Sequence, residues 1–348
     1  MKVIIPAAGL GTRLRPHTYH RPKPLVNVAG DTVLGHVLRR LGVLEIDELV
    51  FIVGHLGSQI QAYVAEHYPQ YRAHYVFQEE LRGQAHALSL ARDYLSGPLL
   101  IVFVDTIVDA DYAALATTEA DGVIHVQAVE DPLRFGIVNV GQDGYITQVV
   151  EKPDAPTSNL AVVGIYFVRD GAWLLWAIDQ LLASGRLRKG EYYLADALQI
   201  MIDAGARLQA QPVAMWADCG TVPATLETNR YLLGQLPAQP APPGLGAGAV
   251  VVPPVHLEPG VVIEHSVVGP YVHVGAGCRI VRSVVGPYVS LADGAEVRGA
   301  VVEDAIVDSG ALIETVTLAA SVIGAHARVR GRGDRLNVGD SSEIDAGA

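Results

Sequence analysis

The first thirty residues carry groups that could bind phosphate. Gly9 and Gly11 lie in the stretch GLGTRLRP, directly after a short apolar run, where glycine lets the backbone approach a ligand and exposed amides can cradle phosphate oxygens. Arg13 adds a planar fork of donors, and Lys23 adds a mobile point charge. Residues 1–30 contain five basic side chains and no acidic one, although the whole chain has a net charge of −12. This basic stretch predicts a site for an anionic small molecule.

Two familiar phosphate-binding motifs do not match this stretch. A pair of glycines with this spacing also opens the dinucleotide fingerprint, but Leu14 occupies the position of its third glycine, which argues against hydride transfer on a dinucleotide cofactor. A Walker loop is also absent from the sequence. The alternative to a phosphate site is a surface turn that happens to be basic.

Further polar residues follow runs that resemble buried strands. Asp105 ends the run IVFV, and Glu151, Lys152 and Pro153 follow the strand ITQVV. Open α/β sheets place ligands at the carboxyl ends of their strands, which favours a binding role for these side chains. A loop cap for the aspartate and a solvated ion pair for the glutamate and lysine are the alternatives.

Strand and helix patterns alternate from position 1 to position 233. Short runs rich in Val, Ile, Leu or Phe predict buried strands at 2–6, 49–53, 73–77, 99–104 and 123–129. Amphipathic stretches predict helices at 33–42, 58–68, 83–95, 172–183 and 194–205. Strands buried on both faces and separated by helices are typical of an α/β fold with a Rossmann-like, mostly parallel sheet.

A different pattern follows a Pro- and Gly-rich linker at 236–249. SVVGPYVHVGAGCRI at 266–280 returns as SVVGPYVSLADGAEV at 283–297, and aliphatic residues recur every five or six positions. They are Val262, Val268, Val274, Ile280, Val285, Leu291, Val297, Val302, Val307, Ile313, Leu318, Ile323 and Val329. This period matches the hexapeptide repeat of a parallel β-helix, with these residues pointing inward in about five coils. The predicted domains are therefore 1–235 and 250–340.

GLGTRLRP and the downstream PKPL together resemble the signature of sugar-1-phosphate nucleotidylyltransferases, especially glucose-1-phosphate thymidylyltransferases. The resemblance continues in order through QEELRGQAHAL, IVFVDT, DPLRFGIV, EKP, NLAVVGIYF, GEYYLADAL and WADCGT. It covers the whole first domain. Many longer members of the family also carry a left-handed β-helix, and the tail RLNVGDSSEI resembles that branch.

The resemblance implies a set of site residues. The implied catalytic residues are Arg13, Lys23 and Lys152. The implied nucleotide-binding residues are Ala8, Gly9, Gly11, Thr12, Gln78 and Gly83. The implied sugar-phosphate-binding residues are Gly136, Glu151, Lys152 and Gly164, and the implied ligands of Mg²⁺ are Asp105 and Asp218. Only four of the 25 basic side chains are lysines, and two of these four occupy the lysine positions of the family.

The reaction implied is attack of a sugar 1-phosphate oxygen on the α-phosphorus of a nucleoside triphosphate, with release of pyrophosphate. The resemblance favours dTTP as the nucleoside triphosphate and glucose 1-phosphate as the sugar phosphate. A phosphate monoester has a second pKa of about 6, so the nucleophile is already an anion and no general base is required. Arg13 and Lys23 would stabilise the departing pyrophosphate, Lys152 would hold the incoming phosphate, and Mg²⁺ would bridge phosphate oxygens.

Two positions depart from the family pattern. Val104 stands where the family usually has glycine before the metal aspartate, and Asn27 replaces a usual proline. Neither change removes a charged group. Both bear more on the choice of sugar and base than on the type of reaction.

Alternative functions remain open at this point. The triphosphate could be UTP or GTP, and the sugar could be mannose or N-acetylglucosamine. The histidines of the predicted β-helix could serve acetyl transfer in a bifunctional enzyme; they are His256, His265, His273 and His326. Residues 190–348 contain no lysine for a coenzyme A cradle, which favours a structural, oligomer-forming β-helix. An inactive regulatory subunit of the same fold is the third possibility, although the charged site residues are all present.

Composition argues against several other classes of protein. An acidic chain does not favour nucleic acid or anionic lipid, and no apolar run reaches the length of a membrane span. Cys219 and Cys278 are the only cysteines, too few for a disulfide framework. With no signal peptide apparent, we expect a cytoplasmic homo-oligomer.

Overall fold

The structure is a computed structural model that describes residues 1–238, 245–331 and 335–345. Its residues group into two compact units. The first comprises Met1–Leu10 and His36–Trp216, and the second comprises Gly11–Gly35 and the residues from Ala217 onward. The central part of the predicted linker, 239–244, lies outside the described residues. The domain boundaries predicted from the sequence stay a prediction.

Residues 1–238 contain thirteen strands and six α-helices within the described part of the chain. The strands are β1 (Lys2–Ala7), β2 (Asn27–Val28), β3 (Asp31–Thr32), β4 (Glu48–Val53), β5 (Ala73–Phe77), β6 (Leu99–Val102), β7 (Thr106–Asp109), β8 (Gly122–Ala128), β9 (Gly136–Val140), β10 (Ile146–Glu151), β11 (Leu160–Val168), β12 (Leu208–Pro212) and β13 (Met215–Asp218). The helices are α1 (Val33–Leu41), α2 (Gly57–His67), α3 (Gln84–Leu90), α4 (Gly171–Ser184), α5 (Leu194–Asp203) and α6 (Val222–Gly234).

The first unit is built on one mixed sheet. Its strand order is β10-β9-β11-β6-β1-β4-β5, and β8 pairs with β11 and β12. β6, β1, β4 and β5 run parallel, as the alternation of strands and helices predicts. β11 runs antiparallel to β6, β8 and β9. The predicted Rossmann-like sheet is confirmed, with an antiparallel part where short connections replace helical crossovers.

Most predicted elements of the first unit agree with the structure to within two residues. The predicted helix at 83–95 divides into α3 and a 3₁₀ helix at Arg92–Tyr94. The predicted strand at 99–104 ends at Val102, because the chain turns before Asp105. Aliphatic residues of the strands fill the core, and Val3, Ile4, Ile5, Leu99, Leu100 and Ile101 are fully buried.

The second unit contains a left-handed parallel β-helix with three sheets. The first sheet holds β14 (Val250–Val251), β17 (Val267–Val268), β20 (Val284–Val285), β23 (Val301–Val302) and β26 (Thr317–Leu318). The second holds β15 (Val255–Leu257), β18 (Val272–Val274), β21 (Val289–Leu291), β24 (Ala305–Val307), β27 (Ser321–Ile323) and β29 (Asn337–Val338). The third holds β16 (Val262–Glu264), β19 (Arg279–Val281), β22 (Glu296–Arg298), β25 (Leu312–Glu314), β28 (Arg328–Arg330) and β30 (Glu343–Asp345).

The repeat seen in the sequence sets the register of this β-helix. Val268 pairs with Val285, its equivalent in the second copy of the repeat. The predicted inward residues from Val268 onward are at most 1% exposed. Ile263, and not Val262, occupies the inward position of its strand. The sheets hold five or six strands each over the described residues, slightly more than the five coils expected.

Candidate active site

The predicted site residues fall into both compact units, and each group has its own local geometry. The second unit contains Gly11, Thr12, Arg13, Lys23 and Asp218. The first unit contains the others, which are Ala8, Gly9, Gln78, Gly83, Asp105, Gly136, Glu151, Lys152 and Gly164.

Gly11 sets the shape of the predicted phosphate-binding stretch in the second unit. Its φ of 61° lies in the left-handed region, and a Cβ there would fall 3.0 Å from Cγ2 of Thr18 and 3.2 Å from Cβ of Lys23. The Thr18 hydroxyl donates to the Gly11 carbonyl at 2.8 Å. A 3₁₀ helix at Thr12–Leu14 follows, and it leaves Arg13 exposed. Glycine is needed here for conformation and for space.

Arg13 and Asp218 approach one another at Gly220. A Cβ on Gly220 would lie 3.0 Å from Nη2 of Arg13 and 2.7 Å from Oδ1 of Asp218. The Gly220 amide donates to that same carboxylate oxygen at 2.7 Å, and the Thr228 hydroxyl donates to the Asp218 carbonyl at 2.9 Å. The hydrogen bonds fix Asp218, a predicted metal ligand, and the fold places Arg13, a predicted phosphate-binding cation, near it on the other side of Gly220. Sequence reasoning missed Gly220, although WADCGT belongs to the family resemblance.

Asp308 of the β-helix holds the segment that contains Lys23. It follows β24 and is 8% exposed. Its carboxylate accepts hydrogen bonds from the Arg21 guanidinium and from Nδ2 of Asn27, the latter at 2.5 Å. Asn27, which replaces the usual proline of the family, thus supplies a donor to a carboxylate far along the chain. The departure has a structural reason in this chain.

Other contacts attach the same segment and α6 to the β-helix. A ring nitrogen of His17 lies 2.6 Å from Oδ1 of Asn337, and His17 is buried. Oδ1 of Asn229 on α6 accepts from the Ala29 amide and from the Ser290 hydroxyl, both at 2.9 Å. The β-helix therefore supports the segment 11–35 through specific polar contacts, and His17 has a structural partner.

In the first unit, Ala8 and Gly9 follow β1. Ala8 is buried and Gly9 is exposed. Gly54 lies against Ala8, because a Cβ on Gly54 would fall 2.9 Å from the Ala8 carbonyl oxygen. A Cβ on Gly9 would meet no atom within 4 Å, so local crowding does not explain the glycine at this position.

The predicted nucleobase residues Gln78 and Gly83 are held by backbone contacts. The Gln78 amide donates to the Val53 carbonyl at 2.8 Å, and Nε2 of its buried side chain donates to the Glu80 carbonyl at 3.0 Å. Gly83 has a φ of 106°, and a Cβ there would fall 2.5 Å from the Tyr192 carbonyl oxygen. Only glycine permits this approach, so the segment QEELRGQAHAL packs against GEYYLADAL.

Glu151, Lys152 and Gly136 lie together at the end of the β9–β10 hairpin. Gly136 pairs with Glu151 in register, and a Cβ on Gly136 would fall 2.8 Å from a carboxylate oxygen of Glu151. Nζ of Lys152 lies 3.6 Å from Glu151 and 5.5 Å from the ring centroid of Tyr193. Burial raises the pKa of Glu151, and the charge of Lys152 opposes that effect. Three residues of the predicted sugar-phosphate group are thus brought together.

Lys152 has an unusual backbone conformation that Lys189 supports. The φ of Lys152 is 43°, in the left-handed region that non-glycine residues rarely occupy. Its amide donates to the Phe135 carbonyl at 3.0 Å, and Nζ of Lys189 donates to its carbonyl at 3.3 Å. Sequence reasoning left Lys189 without a role, although the scarcity of lysine could have singled it out.

Asp105 and Gly164 lie near an irregularity of the central sheet. The Phe103 amide donates to the Gly164 carbonyl at 2.9 Å, and Gly164 has a φ of 87°. The pairing of β11 with β8 shifts between Val162 and Tyr166, an interruption often found beside active sites. Val104 is buried, so its side chain packs into the interior and leaves the half-buried Asp105 accessible.

The two predicted metal ligands suit Mg²⁺ chemically. Asp105 and Asp218 both offer carboxylate oxygens, are half-buried, and lie outside the fully buried cores. The hydrogen bond from Gly220 fixes the orientation of the Asp218 carboxylate. Mg²⁺ is usually held by one or two carboxylates together with water and substrate phosphates, and these residues fit that donor set.

Comparison with known proteins identifies the class. The nucleotidyl transferase family model matches residues 2–235, and the chain belongs to this family. A glucose-1-phosphate thymidylyltransferase of Streptomyces griseus is 32% identical over 98% of both chains. The low-salt glycan biosynthesis nucleotidyltransferase Agl11 of Haloferax volcanii is 34% identical over 67% of this chain. The UTP–glucose-1-phosphate uridylyltransferase AglF of that organism is 31% identical over 62% of this chain and 89% of its own length.

Some of these matches are partial. The chain covers 66% of the length of Agl11 and 55% of bifunctional GlmU proteins from Methanococcus. Among solved structures, a putative glucose-1-phosphate thymidylyltransferase from Bacillus anthracis is similar with a TM-score of 0.59 and 27% identity. That similarity covers 67% of this chain and 95% of the neighbour. Within the described residues, no helix combines the length and the hydropathy that a membrane span requires.

Proposed function

We propose that this chain transfers a nucleotidyl group from dTTP to glucose 1-phosphate and releases pyrophosphate. The observation that carries the proposal is the exposed Arg13 on its 3₁₀ helix after the left-handed Gly11, with Asp218 beside it at Gly220. A donor fork next to a carboxylate suits a triphosphate that enters with a divalent cation. Similarity to the Streptomyces griseus thymidylyltransferase along nearly the whole chain supports the same choice of substrates.

In the proposed reaction, an oxygen of the sugar phosphate forms a bond to the α-phosphorus as the bond to the β-phosphate breaks. Pyrophosphate carries away the negative charge, and Arg13 and Lys23 stabilise it. Lys152 holds the phosphate of the sugar, and Glu151 binds the sugar. Because the nucleophile is already an anion, these side chains act by positioning and charge neutralisation and need not move a proton.

Asp105 and Asp218 are the residues that would hold Mg²⁺. The ion supplies neutralisation of charge on phosphate oxygens when it is bound. Gly220 orients one of these carboxylates through its amide. The chain's own contribution at this point is the Asp218 carboxylate, which the Gly220 amide holds in place.

Gln78 offers hydrogen-bonding groups to a nucleobase. Nε2 donates one of its two hydrogens to the Glu80 carbonyl, which leaves Oε1 as an acceptor and a second N–H as a donor for a base. Thymine and uracil present an N3–H donor beside a carbonyl acceptor, and guanine presents the same pair at N1–H and O6. The amide therefore fits dTTP, UTP and GTP, and the relatives, which include both a thymidylyltransferase and a uridylyltransferase, favour the first two.

A pyrophosphate-release assay tests the proposal. Five nucleoside triphosphates are each combined with four sugar 1-phosphates in the presence of Mg²⁺. We expect the highest kcat/KM for dTTP with glucose 1-phosphate, and a higher value for UTP or for another sugar would correct the substrate assignment. No release in any combination would favour an inactive regulatory subunit.

Arg13→Ala tests the site itself. Arg13 is exposed, so its loss should leave the thermal midpoint of unfolding unchanged while kcat/KM falls by at least ~100-fold. Arg39→Ala, in the last turn of α1, is a matched control and should keep near-normal activity. A folded and fully active Arg13→Ala protein would show that another residue stabilises the pyrophosphate.

We also propose that the enzyme works in the cytoplasm as a homo-oligomer, with the β-helix as the structural and oligomer-forming part. Size-exclusion chromatography with light scattering measures the oligomeric state. A thiol-release assay with acetyl-coenzyme A and an amino-sugar phosphate tests the alternative, acetyl transfer by the β-helix.

A further inference from the structure

Three side chains at the first coils of the β-helix bring metal-ligating atoms together. His256 lies on β15, His273 lies on β18, and Glu258 follows β15. Nε2 of His256 lies 2.9 Å from Oε1 of Glu258, and Nε2 of His273 lies 3.8 Å from the same oxygen. One ligand atom from each of the three side chains lies within 4.8 Å of the other two.

The stacking of coils explains why these groups meet. His256 and His273 occupy the same register position of neighbouring parallel strands. Side chains alternate across a strand, so His256 points away from Val255 and Leu257, and His273 points away from Val272 and Val274. Their rings are nearly parallel, with centroids 5.1 Å apart. The Glu258 amide donates to the Val274 carbonyl at 2.9 Å, which fixes the glutamate beside both histidines.

This donor set suits a transition-metal ion better than Mg²⁺. Two imidazole nitrogens and one carboxylate are a common set for Zn²⁺, whose ligands at about 2.0–2.2 Å lie roughly 3.4 Å from one another in a tetrahedron. The observed separations bracket that value. Mg²⁺ prefers oxygen ligands only. The side chains of His256 and Glu258 are 40% and 41% exposed, so a fourth position can face water.

We propose that His256, Glu258 and His273 form a binding site for Zn²⁺ or a chemically similar divalent transition-metal ion. The site has three protein ligands and one position for water, and it is distinct from the carboxylates assigned to Mg²⁺.

The surroundings of His273 support metal binding. Its side chain is 9% exposed, and its Nε2 lies 3.8 Å from Oε1 of Glu258, so the ring presents a nitrogen to the cluster from a nearly buried position. A Cβ on Gly30 would fall 2.3–2.5 Å from three atoms of this ring. Because the three distances are nearly equal, Gly30 lies over the face of the His273 ring. The lone pair of Nε2 lies in the plane of the ring, so Gly30 does not cover it. The close backbone also restricts rotation of the ring.

Calorimetric titration of the full-length, tag-free protein with Zn²⁺ tests the proposal. The protein is first stripped of metal with a chelator, and excess Mg²⁺ is present to occupy oxygen-ligand sites. We expect one Zn²⁺ per chain, and absorption from bound Co²⁺ in place of Zn²⁺ should report nitrogen ligation. His256→Gln and Glu258→Gln should each weaken binding by about tenfold or more.

His326→Gln is the matched control, because His326 is a β-helix histidine outside this cluster, and it should bind Zn²⁺ like the wild type. The thermal midpoint of each metal-free variant is measured to confirm folding, and the two variants at half-exposed positions provide independent tests. Failure of the wild type to bind Zn²⁺ would overturn the proposal. Undiminished binding by the double variant His256→Gln/Glu258→Gln would also overturn it, whether or not the protein transfers nucleotidyl groups.

Discussion

Removal of the Asp308 carboxylate tests how the β-helix supports the segment that contains Arg13 and Lys23. In Asp308→Ala the protein loses the ion pair with Arg21 and the 2.5 Å hydrogen bond from Asn27. Hydrogen bonds to a charged group contribute roughly 1.5–3 kcal/mol each. The side chains of Arg21 and Asp308 are 22% and 12% exposed, so water can replace part of the loss. We expect the free energy of unfolding to fall by about 2–4 kcal/mol.

Urea unfolding followed by circular dichroism measures this change, and the pyrophosphate-release assay measures its effect on the reaction. We expect kcat/KM to fall as well, because the same segment carries Arg13 and Lys23, the cations proposed to bind phosphate. A double-mutant cycle with Arg21→Ala should give a coupling free energy of about 1–3 kcal/mol.

Glu264→Gln is the matched control within the β-helix. Glu264 pairs with Arg279 at 3.1 Å, but the two side chains are 38% and 49% exposed, so the cost should be roughly 0–1 kcal/mol. An Asp308→Ala protein as stable and active as this control would refute the reasoning, since the segment would then be held by other contacts.

Three further expectations concern the first unit. Glu151→Gln should gain stability relative to the wild type as pH rises above about 4.5, because burial raises the pKa of Glu151 and folding then opposes its ionisation. Urea unfolding at several pH values measures the free energy of unfolding of both proteins. A difference between the two that stays the same at every pH would contradict this expectation. His125 is fully buried with its pKa lowered to about 4, so the wild type should lose on the order of 3 kcal/mol as pH falls from about 6.5 to 4. His125→Leu should lose less over that range, and equal pH dependence would speak against the assignment. Lys189→Ala should raise KM for the sugar 1-phosphate about fivefold with a smaller change in kcat, since one hydrogen bond to the Lys152 carbonyl is lost. Lys189→Arg should partly restore KM. Steady-state kinetics of the two variants measures KM and kcat separately.

Local chemistry made much of the fold predictable. The strands of the first unit are short aliphatic runs between turns, and the hexapeptide period places one aliphatic residue inward in each short strand of the β-helix. The error at Val262 arose because VVI offers neighbouring apolar residues, and only the register of the coil selects Ile263. The helix predicted at 83–95 was too long because the period does not show where a helix tightens into a 3₁₀ turn.

The site residues stay a prediction, and the structure gives local reasons for some of them. Gly83 has a clear reason in the structure, since a Cβ there would collide with the backbone of Tyr192, whereas a Cβ on Gly136 would only crowd the carboxylate of Glu151. Lys189 and Gly220 were missed. Lys189 donates to the Lys152 carbonyl, and Gly220 lies beside Arg13 and Asp218. No spacing along the chain encodes such contacts.

The sequence by itself determined the family and the two kinds of architecture, because these depend on residue type and on short periods, and it supplied the charged groups proposed for the reaction. Only the tertiary structure decided which distant residues meet. Asn27 is an isolated departure from a motif in the sequence, yet in the fold it donates to Asp308. His256 and His273 are well separated along the chain, and the stacking of coils places their rings side by side. The physical reason is that both contacts join residues far apart in the sequence. Packing of the segment 11–35 on the β-helix sets the distance from Asn27 to Asp308, and stacking of the coils sets the distance from His256 to His273.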